Sequence, residues 1–410
     1  MLDTTEATAF PMHRDVARCP FDPPATLAEW RREGALRRVR IWDGSEPWLV
    51  TRHEDIRAVL SHSAISADTD NPGYPHSSAA IRARRARAKT FFQMDGPAHD
   101  DPRRVLARDF TAKRMQALRE HIQEIVDALI TELLAGPKPV DLVEAFALPV
   151  PSLMICELLG VPYADHDVFQ RLSKVFVAKA STPEQTTAAA EELIEFIAGL
   201  VDAKSVNPGD DVLSRLAVEQ LVPGLMTREE VARMGLLLLT AGHETSANMI
   251  ALGTAALLGR PDQVELLRTS GDPALLAGAV EELLRYLTIV HSGLRRVASE
   301  DMEIAGTLIR RGDGVVLSLD SGNRDALAFH DEGVSGPDAL DITRQARHHL
   351  AFGFGVHQCL GQQLARVELQ VVFGTLFRRI PTLALAEPLE NVAFKDDMSI
   401  YGVHRLLVTW

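Results

Sequence analysis

Cysteine is scarce in this 410-residue chain, which has only Cys19, Cys156 and Cys359. Three thiols cannot build a disulfide framework or a four-thiolate metal site, so any cysteine chemistry rests on one of them. Positive charge is in deficit too. Forty-three Lys and Arg stand against 56 Asp and Glu, a formal charge of −13, which argues against nucleic-acid binding. No long apolar run opens the chain. Asp3, Glu6, Arg14, Asp15, Arg18, Asp22 and Glu29 interrupt the first thirty residues, so neither a signal peptide nor a membrane anchor is expected and a cytoplasmic location follows. Repeats and low-complexity tracts are missing as well. With 46% hydrophobic and 24% charged residues the composition suits a soluble globular protein and excludes disordered, collagen-like and coiled-coil classes.

Apolar residues recur at three-and-four spacing over Asp101–Leu106, Lys113–Leu134, Pro151–Leu159, Glu191–Ala203, Arg228–Leu258, Pro273–Tyr286 and Gln362–Phe377, which predicts helices there. Strand-like runs are shorter: Trp48–Thr51, Met302–Ile304, Gly314–Leu319 and Leu406–Trp410 have the β-branched or aromatic character of strands. The fold class is therefore mainly α with a minor β portion. No linker divides the chain, so 1–410 reads as one domain, with residues 1–20 expected to form a flexible N-terminal segment.

The Arg228–Leu258 pattern is apolar nearly all round, the mark of a helix buried on most faces, and spans roughly 45 Å at 1.5 Å per residue. Arg233, His243, Glu244 and Asn248 argue against a membrane span. Inside it lies Ala241-Gly242-His243-Glu244-Thr245, where Gly costs about 1 kcal/mol of helix stability and His, Glu and Thr suit a dry core poorly. A zinc-protease reading of His243-Glu244 needs a second His where Ala247 stands. A plain structural reading is a hydroxyl bonded to a carbonyl one turn back.

Phe352-Gly353-Phe354-Gly355-Val356-His357-Gln358-Cys359-Leu360-Gly361 places Cys359 just before the helix predicted from Gln362. The partial positive charge and free N–H groups of a helix start favour the thiolate needed for metal ligation or nucleophilic attack. A dinucleotide-binding glycine loop fails at Gln358, where the third glycine is required. Taken alone, Cys359 could equally be a buried inert thiol.

The segment resembles the haem-binding loop of the cytochrome P-450 family, Phe-x-x-Gly-x-His-x-Cys-x-Gly, at every position. Three further segments are similar to that family in order and spacing. These are Ala241-Gly242-His243-Glu244-Thr245 in the long helix, Glu282-Leu283-Leu284-Arg285, and Met94-Asp95-Gly96-Pro97-Ala98-His99 with Arg103. The similarity runs from about Phe21 to Trp410 and looks closest to the actinobacterial subfamily that oxidises macrolides, secosteroids and xenobiotics. Gly96 departs from it, since proline is the common residue there.

The resemblance implies a haem b, with Cys359 as axial thiolate and the amides after it hydrogen-bonded to sulfur. Phe352, Gly353 and Gly361 would line the thiolate side, and Ala241 with Gly242 the opposite side. His99, Arg103, Arg296 and His357 would partner the propionates. Glu282 and Arg285 would form a buried structural pair, joined by Arg344. Thr245 and Glu244 would manage protons while O2 is activated.

By the same resemblance the enzyme is a monooxygenase that hydroxylates or epoxidises a hydrophobic small molecule. The candidate pocket residues are Ile81, Arg85, Val177, Leu237, Leu238, Ile289, Val290, His291 and Ile400, and the Arg82, Arg84, Arg85, Arg87 cluster has no assigned role. The chain carries no flavin or iron–sulfur motif, so a ferredoxin and its reductase are expected partners, steered by Arg104, Arg108, Lys113, Arg114 and Arg366. A monomer is expected. Two rival readings are an oxidative coupling or ring-closing catalyst of the same fold, and a Cys-dependent hydrolase needing a paired His and no haem.

Overall fold

The computed structural model describes residues 7–16, 18–34, 36–79, 81–82, 89–162, 165, 168, 171–172, 183–330, 333–396, 398 and 400–410. Helices dominate it, as their periodicity predicts. The Arg228–Leu258 helix is the longest and runs through the middle of the main hydrophobic core, with Val231, Leu239, Ile250, Leu252 and Leu257 fully buried. Its start is fixed by a capping box: the Glu230 N–H donates to Thr227 Oγ1 at 3.2 Å, and the Thr227 N–H donates to Glu230 Oε2 at 2.7 Å. The Pro149–Leu159, Pro183–Val206, Pro273–Leu287 and Gln362–Arg379 helices pack around it.

Sequence periodicity locates these helices within a few residues, with three differences, the first being that the Glu191–Ala203 pattern extends over Pro183–Val206. The segment over 113–134 divides at Leu118 into Ala112–Ala117 and Arg119–Ala135, because Leu118 takes ψ −7, too far from helical for the hydrogen-bond ladder to continue unbroken. The short Asp101–Leu106 pattern begins earlier, at Pro97, and extends to Ala107. Gly96 caps it at φ 56 and ψ −143, a conformation closed to proline, so the departure at this position belongs to a different entry into the helix.

Eleven short strands are present among the described residues: β1 Thr8–Ala9, β2 Arg37–Arg40, β3 Trp48–Val50, β4 Ile65–Ser66, β5 Val140–Asp141, β6 Leu294–Ala298, β7 Met302–Ile304, β8 Thr307–Ile309, β9 Gly314–Leu317, β10 Ala384–Leu385 and β11 Leu407–Thr409. Six form one sheet in the order β1-β2-β3-β9-β6-β4. β3 pairs with β9 in parallel, and β6 runs antiparallel between β9 and β4. Buried Val50, Val315 and Leu317 join this sheet to the His53–Ser61 helix in a second core.

The N-terminal segment over 1–20, expected to be flexible, makes defined contacts within its described residues. β1 pairs with β2, the Phe10 N–H donates to Arg40 O at 2.8 Å, and Phe10 and Arg14 are buried. Arg14 stacks 4.4 Å over the Tyr401 ring, so this segment is held by the same apolar packing as the core.

Candidate active site

Cys359 stands between the single turn Gly355–His357 and the helix that starts at Gln362. Gly355 has φ 75, and a Cβ there would meet the Leu60 carbonyl oxygen at 2.5 Å, so no other residue fits the turn. The Cys359 N–H donates to Phe352 O at 2.8 Å, closing the loop on itself. Burial pushes the Cys359 thiol pKa up; the Gly361 and Gln362 N–H groups bonded to sulfur and the charges of Arg103 and Arg366 oppose it. The side chain is nonetheless exposed, so it faces a cleft enclosed by protein. Donors aimed at a sulfur that burial keeps protonated suit a thiolate whose charge a bound metal offsets.

A second group of polar atoms lies beside this loop. The His99 and His357 rings are 4.0 Å apart, and each has one nitrogen engaged by a carboxylate. His99 Nδ1 is 2.8 Å from Asp100, and His357 Nε2 is 3.5 Å from Asp95. Burial opposes ionisation of Asp95, but hydrogen bonds from His357, Ser66 and the Ala67 N–H prevail and hold its carboxyl far below the usual range. The other two nitrogens, His99 Nε2 and His357 Nδ1, are buried without a hydrogen-bond partner among the described residues. A buried orphan atom costs roughly 1 to 3 kcal/mol, so a pair of them marks a place for an anion that both imidazoles can contact. Arg103 joins them, its Nη2 donating to Gln358 O at 2.6 Å. Arg296 is two residues from Leu294 on one face of β6, and Leu294 Cδ1 lies 3.5 Å from where a Gly353 Cβ would be. Four donors around a thiol and a glycine-lined face fit a haem with its propionates.

On the central helix, buried flanks alternate with an accessible stripe at Leu237, Ala241 and Thr245, one turn apart. A Cβ on Gly242 would meet Ile155 Cδ1 at 3.3 Å, a tight contact, so glycine lets the Pro149–Leu159 helix approach closely here. Thr245 Oγ1 donates to Ala241 O at 2.7 Å, the one-turn-back bond of the plain structural reading. Glu244 Oε1 lies 3.7 Å from Lys395 Nζ, and that ammonium donates to Asn248 Oδ1 at 3.0 Å. The next turn is tied to the Gln362–Arg379 helix, because Ser246 Oγ bonds Glu368 Oε2 at 2.8 Å. Burial raises the Glu368 pKa to about 7. Lys395 and Glu368 were not legible as partners from sequence, since both lie over a hundred residues from the helix they touch.

The predicted structural pair is present, and fully buried. Arg285 Nε and Nη2 donate to the two Glu282 oxygens at 2.7 and 2.8 Å, and Arg344 Nε reaches Oε1 at 3.3 Å. The Asp341 N–H also bonds Glu282, while Arg285 Nη1 donates to Asn323 O and Pro337 O, both at 2.7 Å. The ion pair is thus tied through main-chain groups to the segments at Asn323, Pro337 and Asp341, upstream of the Cys359 loop.

The substrate-pocket candidates divide. Leu238 and Ile289 are buried in the main core, whereas Ile81, Leu237, Val290 and Ile400 are half-buried. His291 is engaged, with Nε2 2.6 Å from Met398 O. Arg85 and Val177, with Arg84 and Arg87 of the arginine cluster, lie outside the described residues. Arg82 sits 5.2 Å over the Trp42 ring. The steering set is also reduced. Arg104 pairs with Asp101, Arg108 with Glu219 and Arg114 with Asp210, and Arg366 points inward onto Glu281 at 2.7 Å, so its charge is spent inside the protein.

No helix among the described residues is long and apolar enough to cross a membrane. A family model described as Cytochrome P450 matches residues 184–383. The chain is 50% identical to cytochrome P-450-SU2 of Streptomyces griseolus over 96% of its length and 94% of that protein. It is 49% identical to cytochrome P-450 GfsF of Streptomyces halstedii over 99% and 97%, and the GfsF crystal structure superposes with a TM-score of 0.93 over 98% of this chain and all of that one. The mycinamicin VIII C21 methyl hydroxylase MycCI of Micromonospora griseorubida, solved with mycinamicin VIII bound, is 38% identical with a TM-score of 0.87 over 98% of this chain and 100% of that one. With the thiol loop, the paired imidazoles and the buried Glu282–Arg285 pair in place, this similarity over nearly the full length shows that the chain belongs to the cytochrome P-450 family of haem-thiolate monooxygenases.

Proposed function

We propose that this enzyme binds haem b through Cys359 and inserts one oxygen atom into a C–H or C=C bond of an apolar small molecule of macrolide or steroid size. The observation that carries the reading is the juxtaposition of Cys359 with the two orphaned imidazole nitrogens of His99 and His357. When bound, the haem supplies the iron that activates dioxygen, and thiolate donation favours O–O cleavage. His99, Arg103, Arg296 and His357 would hold the propionates, whose oxygens would give the two orphaned imidazole nitrogens a partner. Phe352 excludes water from the sulfur side.

On the other face the Thr245 donor is committed to Ala241 O, which leaves the hydroxyl lone pairs to accept a hydrogen bond in the cleft. Glu244, half-buried beside Lys395, carries protons between solvent and that hydroxyl. Leu237, Val290 and Ile400 offer apolar contacts for the substrate. The macrolide class is supported by the MycCI relative, whose crystal structure holds mycinamicin VIII. Electrons come from a ferredoxin and its reductase. An oxidative-coupling role is disfavoured by the Glu244–Thr245 pair. A hydrolase is disfavoured because no histidine among the described residues bonds Cys359.

Spectral titration of the haem-loaded protein with macrolides, sterols and statin-like acids tests the substrate class. A saturable spin-state change with macrolides is expected, and its absence across all apolar ligands would reject the pocket assignment.

A further inference from the structure

The inward turn of Arg366 has a specific geometry. Its Nε and Nη2 donate to Glu281 Oε1 and Oε2 at 2.7 and 3.1 Å, and its Nη1 donates to Gln362 Oε1 at 2.8 Å. Its guanidinium lies 4.7 Å over the Phe352 ring. Phe352 O accepts the Cys359 N–H, and the Gln362 N–H is one of the two amides bonded to the Cys359 sulfur. One side chain therefore contacts both Phe352, whose carbonyl holds the Cys359 main chain, and Gln362, whose N–H bonds the Cys359 sulfur.

Glu281 is anchored in turn by His349. Because His349 Nδ1 accepts the Ala351 N–H at 3.1 Å, its Nε2 carries the proton and donates to Glu281 Oε2 at 3.2 Å. Burial opposes ionisation of Glu281, but hydrogen bonds from His349 and Arg366 outweigh it and bring its pKa to about 2. His349 is buried, and its ring sits 5.6 Å from that of Phe352.

We infer that Arg366, held by Glu281 and His349, is a positioning residue that clamps Phe352 and Gln362 around the Cys359 sulfur and so preserves thiolate ligation, rather than a surface charge for the electron donor. The inference rests on Cys359 being the axial ligand. A planar guanidinium can stack on Phe352 while bonding Glu281 and Gln362 at once; an ammonium cannot.

Haem-loaded wild type is compared with Arg366→Gln, Arg366→Lys, Glu281→Gln and the Arg366→Gln/Glu281→Gln double variant. The readouts are loss of the red-shifted Soret band of the reduced carbon monoxide complex, at a temperature where far-ultraviolet dichroism is unchanged, and the salt dependence of reduction by a ferredoxin. Each single variant should start with the red-shifted band and lose it several-fold faster than wild type, the double variant no faster than either single, with an unchanged salt dependence. Wild-type band lifetime in Arg366→Gln, or full rescue by Arg366→Lys with a flattened salt dependence in Arg366→Gln, would overturn the clamp. Should Glu281→Gln fail to load haem, Gln362→Ala, which removes only an Arg366 acceptor, replaces it with the same expectation. A wild type lacking the band would instead reject the role of Cys359, so the two failures are distinct.

Discussion

Thr245 donates its hydroxyl proton to the Ala241 carbonyl one turn earlier, 2.7 Å away, on the accessible stripe of an otherwise buried helix. The bond fixes the direction of the lone pairs without being needed for helix stability. Thr245→Ala should therefore fold, bind haem and bind substrate normally. One lost hydrogen bond, about 0.5 to 1.5 kcal/mol, should redirect the reaction several-fold towards hydrogen peroxide. Product and peroxide measured in one assay check this, and unchanged coupling would return Thr245 to a structural role.

The Glu282–Arg285–Arg344 cluster predicts a different phenotype. Each partner is fully buried, so Glu282→Ala or Arg285→Ala leaves a charge uncompensated at a cost of roughly 3 to 5 kcal/mol. Haem incorporation should fail along with folding, read as loss of Soret absorbance per unit of protein and of cooperative unfolding. Soluble, haem-loaded variants with only slower turnover would contradict this.

Much of the site was legible because its chemistry is written in short spacings. Cys359 before a helix start and Glu282 three residues from Arg285 need no long-range information. Thr245 one turn from Ala241 is of the same kind. The long helices were legible for the same reason, since their apolar period reports burial directly. What escaped was set by tertiary contacts. β6 at Leu294–Ala298 carries Arg295 and Arg296 in its middle, a charge pattern that hides a central strand until the site receiving those side chains is known. Arg366 reads as a surface cation on any helical wheel, and only the fold brings Glu281, 85 residues away, beneath it.

His243 links the central helix to pH. Burial, with a smaller push from the Lys395 charge, lowers its pKa to about 4 from an ordinary value near 6.5. In that interval the unfolded chain binds the extra proton, so stability is complete above about pH 6.5 and declines as pH falls towards 4. His243→Gln should remove part of that decline, on the order of 1 to 3 kcal/mol. Denaturation midpoints of both proteins from pH 7 to 4 check it, and parallel curves would show that other groups carry the dependence.

The most direct test of the account is the reduced carbon monoxide spectrum of the haem-reconstituted protein beside Cys359→Ser, with Cys19→Ser and Cys156→Ser as controls. The wild type and both controls should show the far-red-shifted Soret band of thiolate ligation, and Cys359→Ser should lack it. An unshifted band in the wild type, or a red-shifted band surviving in Cys359→Ser, would contradict it.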